Sequence, residues 1–160
     1  QRQMCIRDRP LEIVTNAVKK HSNKFSGIIG IDPFTGMQGV RELEIAVNDM
    51  GFIGAHLYPH WFELPPNHAK YYPFYAKCCE LGIPIQMQVG QSMIYSKEFP
   101  CKSVGQPIHL DAIACDFPEL KIIGIHVGIF LGGYDLHNFF PLRASAWLVI
   151  RLFMFFLFES

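Results

Sequence analysis

The sequence has few charged residues and no excess of either sign. Its 160 residues include 14 Lys and Arg, 14 Asp and Glu, and 18% charged positions in total, against roughly 25% in an average soluble domain. A neutral chain lacks the basic surface that binds nucleic acids and anionic membranes, so we expect neither partner. The most apolar segment, 144–158, has 15 positions and contains Arg151, whereas a transmembrane helix needs about 20 apolar residues. No membrane-spanning helix is predicted.

The sequence lacks a Cys-x-x-Cys pair and the motifs of several large enzyme classes. The five cysteines are odd in number and none forms a Cys-x-x-Cys pair, which favours reduced thiols in a cytoplasmic protein over a zinc site or a disulfide framework. The sequence contains no GxGxxG, GxxxxGKS/T or GxSxG motif. These absences argue against the usual nucleotide-binding and serine-hydrolase sites.

Residues 10–129 do carry a repeated pattern, in which a short apolar segment is followed by a polar loop and an amphipathic helix. The apolar segments are 27–32, 52–58, 83–89 and 120–127, and they begin 25, 31 and 37 residues apart. Each interval is long enough for the crossover helix that connects two parallel strands. The pattern therefore predicts consecutive βα units and a parallel sheet.

Alternation within these segments separates an apolar face from a face that becomes polar at the carboxyl end of each strand. An open sheet covered by helices on both sides would need two apolar faces, whereas a closed barrel directs one face to its axis and opens at a polar mouth. The predicted apolar face comprises Ile29, Ile31, Ile53, Ala55, Leu57, Ile83, Ile85, Met87, Val89, Ile123, Ile125 and Val127. We therefore predict an α/β fold that is part of a (β/α)8 TIM barrel, with about four parallel strands of the eight in a barrel of about 250 residues.

The polar side chains of the other face gather at the predicted mouth. Asp32, His56, Tyr58, Gln88 and His126 lie at the ends of the four strands. His126 is the predicted catalytic residue, because a neutral imidazole can act as a general base, a hydrogen-bond donor or a metal ligand. The predicted substrate-binding residues are His56, Tyr58, His60, Trp61 and Gln88.

The loop that follows the second strand allows two interpretations. His56, His60 and His68 are spaced four and eight residues apart, which on one helix would suggest a metal site. Prolines at 59, 65 and 66 forbid a continuous helix there, so we favour a wall of the substrate pocket.

Three segments together resemble the amidohydrolase-related family of metal-dependent barrels, which includes aminocarboxymuconate-semialdehyde decarboxylase. They are GFIGAHLYP at 51–59, PFYAKCCELGIPIQMQVG at 73–90 and DFPELKIIGIHVG at 116–128. The resemblance implies that residues 10–129 are an interior fragment covering about strands 3 to 6 of the barrel. It also implies a divalent metal, zinc or manganese, and either hydrolysis or nonoxidative decarboxylation of a small organic acid, amide or lactone.

The resemblance includes departures at the metal ligands. Gln88 stands where the family usually carries a histidine ligand on the fifth strand, and the first-strand H-x-H pair and the last-strand Asp have no counterpart. His126 is then the one metal ligand that the resemblance suggests. We expect the fragment alone to be inactive. The alternative is a noncatalytic barrel that binds a small ligand and has lost its metal.

The two ends of the chain fall outside the repeated pattern. Residues 1–9 look like translated sequencing adaptor, and residues 130–160 lose the βα periodicity and become rich in phenylalanine, which favours out-of-frame translation. A half-barrel has two unpaired sheet edges, so association with another copy is expected besides binding of a small-molecule substrate.

Overall fold

Four short strands alternate with helices in a computed structural model that describes residues 11–21, 23–90, 92 and 101–125. Helix α1 spans Leu11–Lys20, α2 Met37–Asn48, α3 Pro59–Phe62, α4 Tyr72–Glu80 and α5 Ile108–Asp116, and a 3₁₀ turn at Ala69–Tyr71 precedes α4. The strands are β1 Ile28–Gly30, β2 Gly54–Leu57, β3 Ile85–Gln88 and β4 Ile122–Ile125.

All four strands are parallel, and they lie in the sheet in chain order, β1-β2-β3-β4. The α/β fold with four consecutive parallel strands is therefore confirmed. The predicted strands were longer, yet the hydrogen bonding continues past the strand bounds. The amide of Ile31 donates to the carbonyl of His56 over 2.9 Å, and the amide of Val89 donates to that of Ile125 over 3.0 Å.

The core lies on the helix side of the sheet. Val40 and Leu43 of α2 are buried there against Phe74 of α4 and the strand residues Leu57 and Ile85. Val40 and Leu43, together with Gly39 and Ala46, form the buried face of α2. The remaining buried core residues include Ile29, Ile31, Ala46, Phe52, Ala55, Tyr71, Tyr75, Cys78, Ile83, Met87, Val89, Leu110, Ile113 and Leu120.

Glycines with positive φ follow two of the helices. Gly51 follows α2 with φ 74°, and Gly82 follows α4 with φ 65°. Both angles lie in the left-handed region, where a residue without a β-carbon is not strained. The chain can therefore reverse direction into β2 and β3.

The prediction for the faces of the fourth strand is wrong. Ile122 is paired with Ile85 and Gly124 with Met87, which places Ile122 and Gly124 on the helix side. Ile122 is 3% exposed, whereas Ile123 and Ile125 are only half-buried on the opposite side. The sequence IIGI is apolar at nearly every position, so alternation carries no information about which residues face the helices.

Ile53 was also predicted on the buried face, and it is 56% exposed. It lies one residue before β2 begins, at the amino-terminal rim of the sheet.

Among the residues that the structure describes, no helix is both long enough and apolar enough to span a membrane. The apolar segment 144–158 lies outside these residues.

Candidate active site at the carboxyl ends of the strands

The second and third strands bring three of the predicted site residues to one edge of the sheet. In the register of the sheet, His56 of β2 lies beside Gly30 of β1 and Gln86 of β3, so these residues share the face opposite the helices. Tyr58 follows β2 directly, and Gln88 is the last residue of β3. Because parallel strands end at the same edge, the polar side chains meet there.

Tyr58 is the centre of an aromatic cluster at this edge. Its ring lies 5.6 Å from the ring of His60 in an edge-to-face arrangement and 5.3 Å from the ring of Trp61. Burial and nearby Cys101 raise the pKa of the Tyr58 phenol, and hydrogen bonds with the side chains of Gln88 and Ser92 partly oppose this shift. The phenol therefore stays protonated at neutral pH and serves as a hydrogen-bond donor.

His56 presents a neutral imidazole on the same face. Burial lowers the pKa of its side chain below the ordinary value of 6.5. Its Nδ1 is buried and has no hydrogen-bond partner within the described part of the chain. A buried ring nitrogen without a partner costs free energy unless a ligand or water satisfies it, so this atom is the best candidate for a ligand contact on β2.

His60 is fully buried. Pro59 occupies the first position of α3, and Glu63 ends that helix after one turn with φ 53°, in the left-handed region. The short helix turns His60 under the segment 101–107, where its Nδ1 accepts a hydrogen bond of 3.1 Å from the amide of Val104. Desolvation by burial lowers the pKa of this imidazole, and the nearby backbone of Lys102 opposes the shift.

The segment 101–107 is the part of the site that sequence reasoning missed. Sγ of Cys101 donates to the carbonyl of His60 over 3.1 Å, and the carbonyl of Gly105 accepts from the amide of Gly90 over 2.6 Å. The segment contributes backbone groups to two of its three contacts, the amide of Val104 and the carbonyl of Gly105, and such groups cannot be recognised from residue types. The closely spaced Gly105 and Pro107 are the one signal that a shaped loop lies here.

Asp32 has a structural task at the end of β1. Its Oδ1 accepts from the amide of Phe34 over 2.8 Å, and its carbonyl accepts from Oγ1 of Thr35 over 2.7 Å. These bonds hold the turn that leads into α2.

The predicted catalytic residue, His126, lies outside the described residues, so its role stays a prediction.

Residues 8–149 match the family model described as amidohydrolase, which is most of the chain. The chain belongs to the amidohydrolase family. The predicted family resemblance is thereby confirmed. The chain is also similar to a 2-keto-4-carboxy-3-hexenedioate hydratase from Sphingobium sp., with 40% identity over 58 residues, which cover 33% of this chain and 17% of that protein.

Solved structures of amidohydrolase relatives share the fold. The 2,6-dihydroxybenzoate decarboxylase from Rhizobium matches with a TM-score of 0.59 and 19% identity, over 79% of this chain and 46% of its own. The 5-carboxyvanillate decarboxylase from Novosphingobium aromaticivorans, solved with bound manganese, matches with a TM-score of 0.59 and 19% identity, over 74% and 38%. The 4-oxalomesaconate hydratase from Rhodopseudomonas palustris matches with a TM-score of 0.54 and 23% identity, over 72% and 37%.

This amidohydrolase chain spans less than half the length of each of these relatives. Its four parallel βα units match part of their barrels, so the predicted partial TIM barrel is confirmed.

Manganese is bound in two of the solved structures that resemble this chain, the 5-carboxyvanillate decarboxylase and a dihydroxybenzoic acid decarboxylase from Polaromonas sp.. In the described part of the present chain, no group of three His, Cys, Asp or Glu side chains lies close enough to hold a metal ion. Gln88 lies near Tyr58, and a neutral amide is a weak ligand for such metals. Residues 11–21, 23–90, 92 and 101–125 therefore do not supply a complete metal site.

Proposed function

We propose that this chain forms one side of the substrate pocket of an amidohydrolase-family enzyme that acts on a small organic acid, amide or lactone. The observation that carries the proposal is the meeting of three polar side chains at the carboxyl edge of the sheet. They are His56, Tyr58 and Gln88, and Nδ1 of His56 has no partner among the described residues.

The chemistry of these groups suits an oxygen-rich ligand. The Tyr58 phenol stays protonated and donates a hydrogen bond, the Gln88 amide both donates and accepts, and the His56 imidazole is neutral. None of the three carries a positive charge at neutral pH. They would therefore orient a carboxylate or carbonyl group and leave charge neutralisation to other parts of the barrel. Trp61 beside Tyr58 would add an apolar contact for a planar ligand.

The proposed reactions are metal-assisted hydrolysis and nonoxidative decarboxylation, with His126 as the acid–base group. The zinc or manganese ion belongs in this proposal to the complete barrel, with ligands outside the described residues. Relatives that are hydratases add a third reaction class, the addition of water to an unsaturated acid. We propose that the 160-residue chain alone is inactive, because it supplies only one side of the barrel.

A noncatalytic small-ligand barrel is the second candidate. Gln88 favours it, because the family resemblance implies a histidine ligand at this position and a neutral amide is a weak metal ligand. Metal analysis of the chain expressed with its flanking coding sequence separates the two. Stoichiometric zinc or manganese, together with activity that disappears in His126→Ala, supports the enzyme. A metal-free protein whose ligand affinity is unchanged in that variant supports the binding barrel.

The pocket itself is tested by calorimetric titration of the chain with 2,6-dihydroxybenzoate and, separately, with the amide of that acid. Tyr58→Phe removes one hydrogen bond, worth about 0.5–1.5 kcal/mol, and should weaken binding about 2- to 12-fold. Tyr72→Phe is the matched control, because its hydroxyl bonds Asp116 on the exposed side of α4. Equal affinities of both variants and the parent chain would contradict the proposed pocket.

A further inference from the structure

The segment 101–107 is fixed to the strand ends by contacts that converge on Val104 and Gly105. The Val104 amide donates to Nδ1 of His60 over 3.1 Å, and the Val104 backbone also interacts with the imidazole of His109. The Gly105 carbonyl accepts from the amide of Gly90, just beyond β3. The peptide groups of Val104 and Gly105 thus contact α3, the residue Gly90 beyond β3, and α5.

His60 packs between this segment and the ring of Tyr58. A β-carbon at position 105 would be 3.0 Å from Cε1 of His60 and 2.9 Å from the carbonyl oxygen of Gln88, so Gly105 is in close contact with both. The other side of the imidazole packs edge-to-face on the Tyr58 ring, 5.6 Å away. A movement of His60 would therefore displace Tyr58 directly and Gln88 through Gly105.

The two nitrogens of His60 have different environments. Nδ1 accepts a hydrogen bond and so carries no hydrogen, which places the proton of the neutral ring on Nε2. Nε2 is buried and has no aligned partner among the described residues. Two roles follow for this residue. Either the important atom is Nδ1, which binds the Val104 amide, or it is Nε2, which would hydrogen-bond to a ligand.

We propose that His60 is a positioning residue whose Nδ1 anchors residues 101–107 and thereby fixes Tyr58 and Gln88 for the ligand. The complete burial of the ring, the Val104 hydrogen bond and the Gly105 contact carry this assignment. The effect on the ligand rests on the proposed function. The anchoring of the segment does not, and it is measured without any ligand.

Two conservative substitutions separate the roles of the nitrogens. Asparagine places an acceptor oxygen near the position of Nδ1, whereas glutamine places a polar atom near that of Nε2. Hydrogen exchange of the Val104 amide should therefore rise about tenfold or more in His60→Ala and His60→Gln, and stay within about threefold of the parent in His60→Asn. His68→Ala is the matched control. Its Nδ1 also accepts a hydrogen bond from a backbone amide, that of Lys70, but on the exposed surface. The exchange rate of the Val104 amide should therefore be unchanged in this variant.

The same variants are titrated with 2,6-dihydroxybenzoate, and the Tyr58 ring resonances are recorded without ligand. We expect shifted Tyr58 resonances and about fivefold weaker binding in His60→Ala and His60→Gln, with both restored in His60→Asn. The ¹⁵N shifts of the parent imidazole should show a proton on Nε2, which checks the assignment even if a variant does not fold.

Three results would overturn the proposal. They are rescue by glutamine in place of asparagine, Val104 exchange that is unchanged in His60→Ala, and a proton on Nδ1 in the parent chain. A parent chain that binds no carboxylate or amide, yet shows the expected exchange and Tyr58 shifts, would instead contradict the proposed function and support the anchor.

Discussion

Replacement of Gly105 by alanine tests how tightly residues 101–107 pack on the strand ends. The new β-carbon would lie 2.9 Å from the Gln88 carbonyl oxygen and 3.0 Å from Cε1 of His60. Both distances are shorter than van der Waals contact, and the carbonyl belongs to β3, so it cannot rotate away as a side chain can. Overpacking of a buried site costs about 1–3 kcal/mol. We expect Gly105→Ala to lower the free energy of unfolding by about 2 kcal/mol.

Urea unfolding followed by circular dichroism measures this change. With a slope of about 1.5 kcal/mol per molar urea, the loss lowers the midpoint by about 1.3 M. Gly30→Ala is the matched control, because nothing lies within 4 Å of its β-carbon. Alanine there restricts the unfolded chain and should raise the free energy of unfolding by about 0.4–1 kcal/mol. The two variants should therefore shift the midpoint in opposite directions.

An unchanged or raised midpoint for Gly105→Ala would refute the reasoning. The double variant with His60→Ala adds a check on the cause of the clash. Since one of the two close contacts is then absent, the double variant should cost less than the sum of the single variants. Strict additivity would mean that Gly105 and His60 are not in contact.

Three further predictions concern stability. Tyr75→Phe removes the donor that bonds the Pro66 carbonyl over 2.6 Å in the interior, so urea unfolding should show a loss of about 1–3 kcal/mol. Tyr72→Phe removes a hydroxyl that bonds the exposed Asp116, so its free energy of unfolding should lie within about 0.5 kcal/mol of the parent value. Equal losses in the two variants would contradict the difference in burial. Leu57→Ala empties a fully buried position and should cost about 2–5 kcal/mol, whereas a loss below about 1 kcal/mol would argue against its place in the core. Because burial lowers the pKa of His56, the unfolded chain binds more protons than the folded chain below pH 6.5. The stability contributed by the neutral His56 is complete above pH 6.5 and declines as the pH falls below it. His56→Gln should therefore make the free energy of unfolding depend less on pH between pH 7 and pH 5. An unchanged slope would show that His56 titrates equally in both states.

Alternation predicts the fold where the two faces of a strand differ in polarity. In β3, glutamines alternate with Ile85 and Met87. The structure buries Ile85 and Met87 completely, whereas Gln86 is half-buried and Gln88 retains 8% exposure. In β4, Ile122 and Ile123 are chemically equal, and only the pairing with β3 decides that Ile122 faces the helices. Register is a property of two strands, so a single segment that is apolar on both faces does not contain it.

The candidate site divides in a similar way. The sequence singles out His56, Tyr58 and Gln88 because their polar side chains interrupt apolar strands, and the structure has them at the carboxyl ends of β2 and β3. Their role in ligand binding stays a prediction. The segment 101–107 is not found, because its link to His60 uses the amide of Val104, a group that every residue except proline possesses. The burial of His60 follows from that link, so sequence alone did not show which side of its ring is occupied.

The order of the strands in the sheet also bears on how the chain acquires its structure. Each strand pairs with the one synthesised just before it, and the strands begin at residues 28, 54, 85 and 122. The closed loops are thus of similar length, and by loop-closure entropy the largest costs only about 0.3 kcal/mol more than the smallest. Among the four described strands, each finds its partner in the strand that directly precedes or follows it in the sequence. This part of the sheet can therefore grow one strand at a time as the chain leaves the ribosome, with each strand as the template for the next.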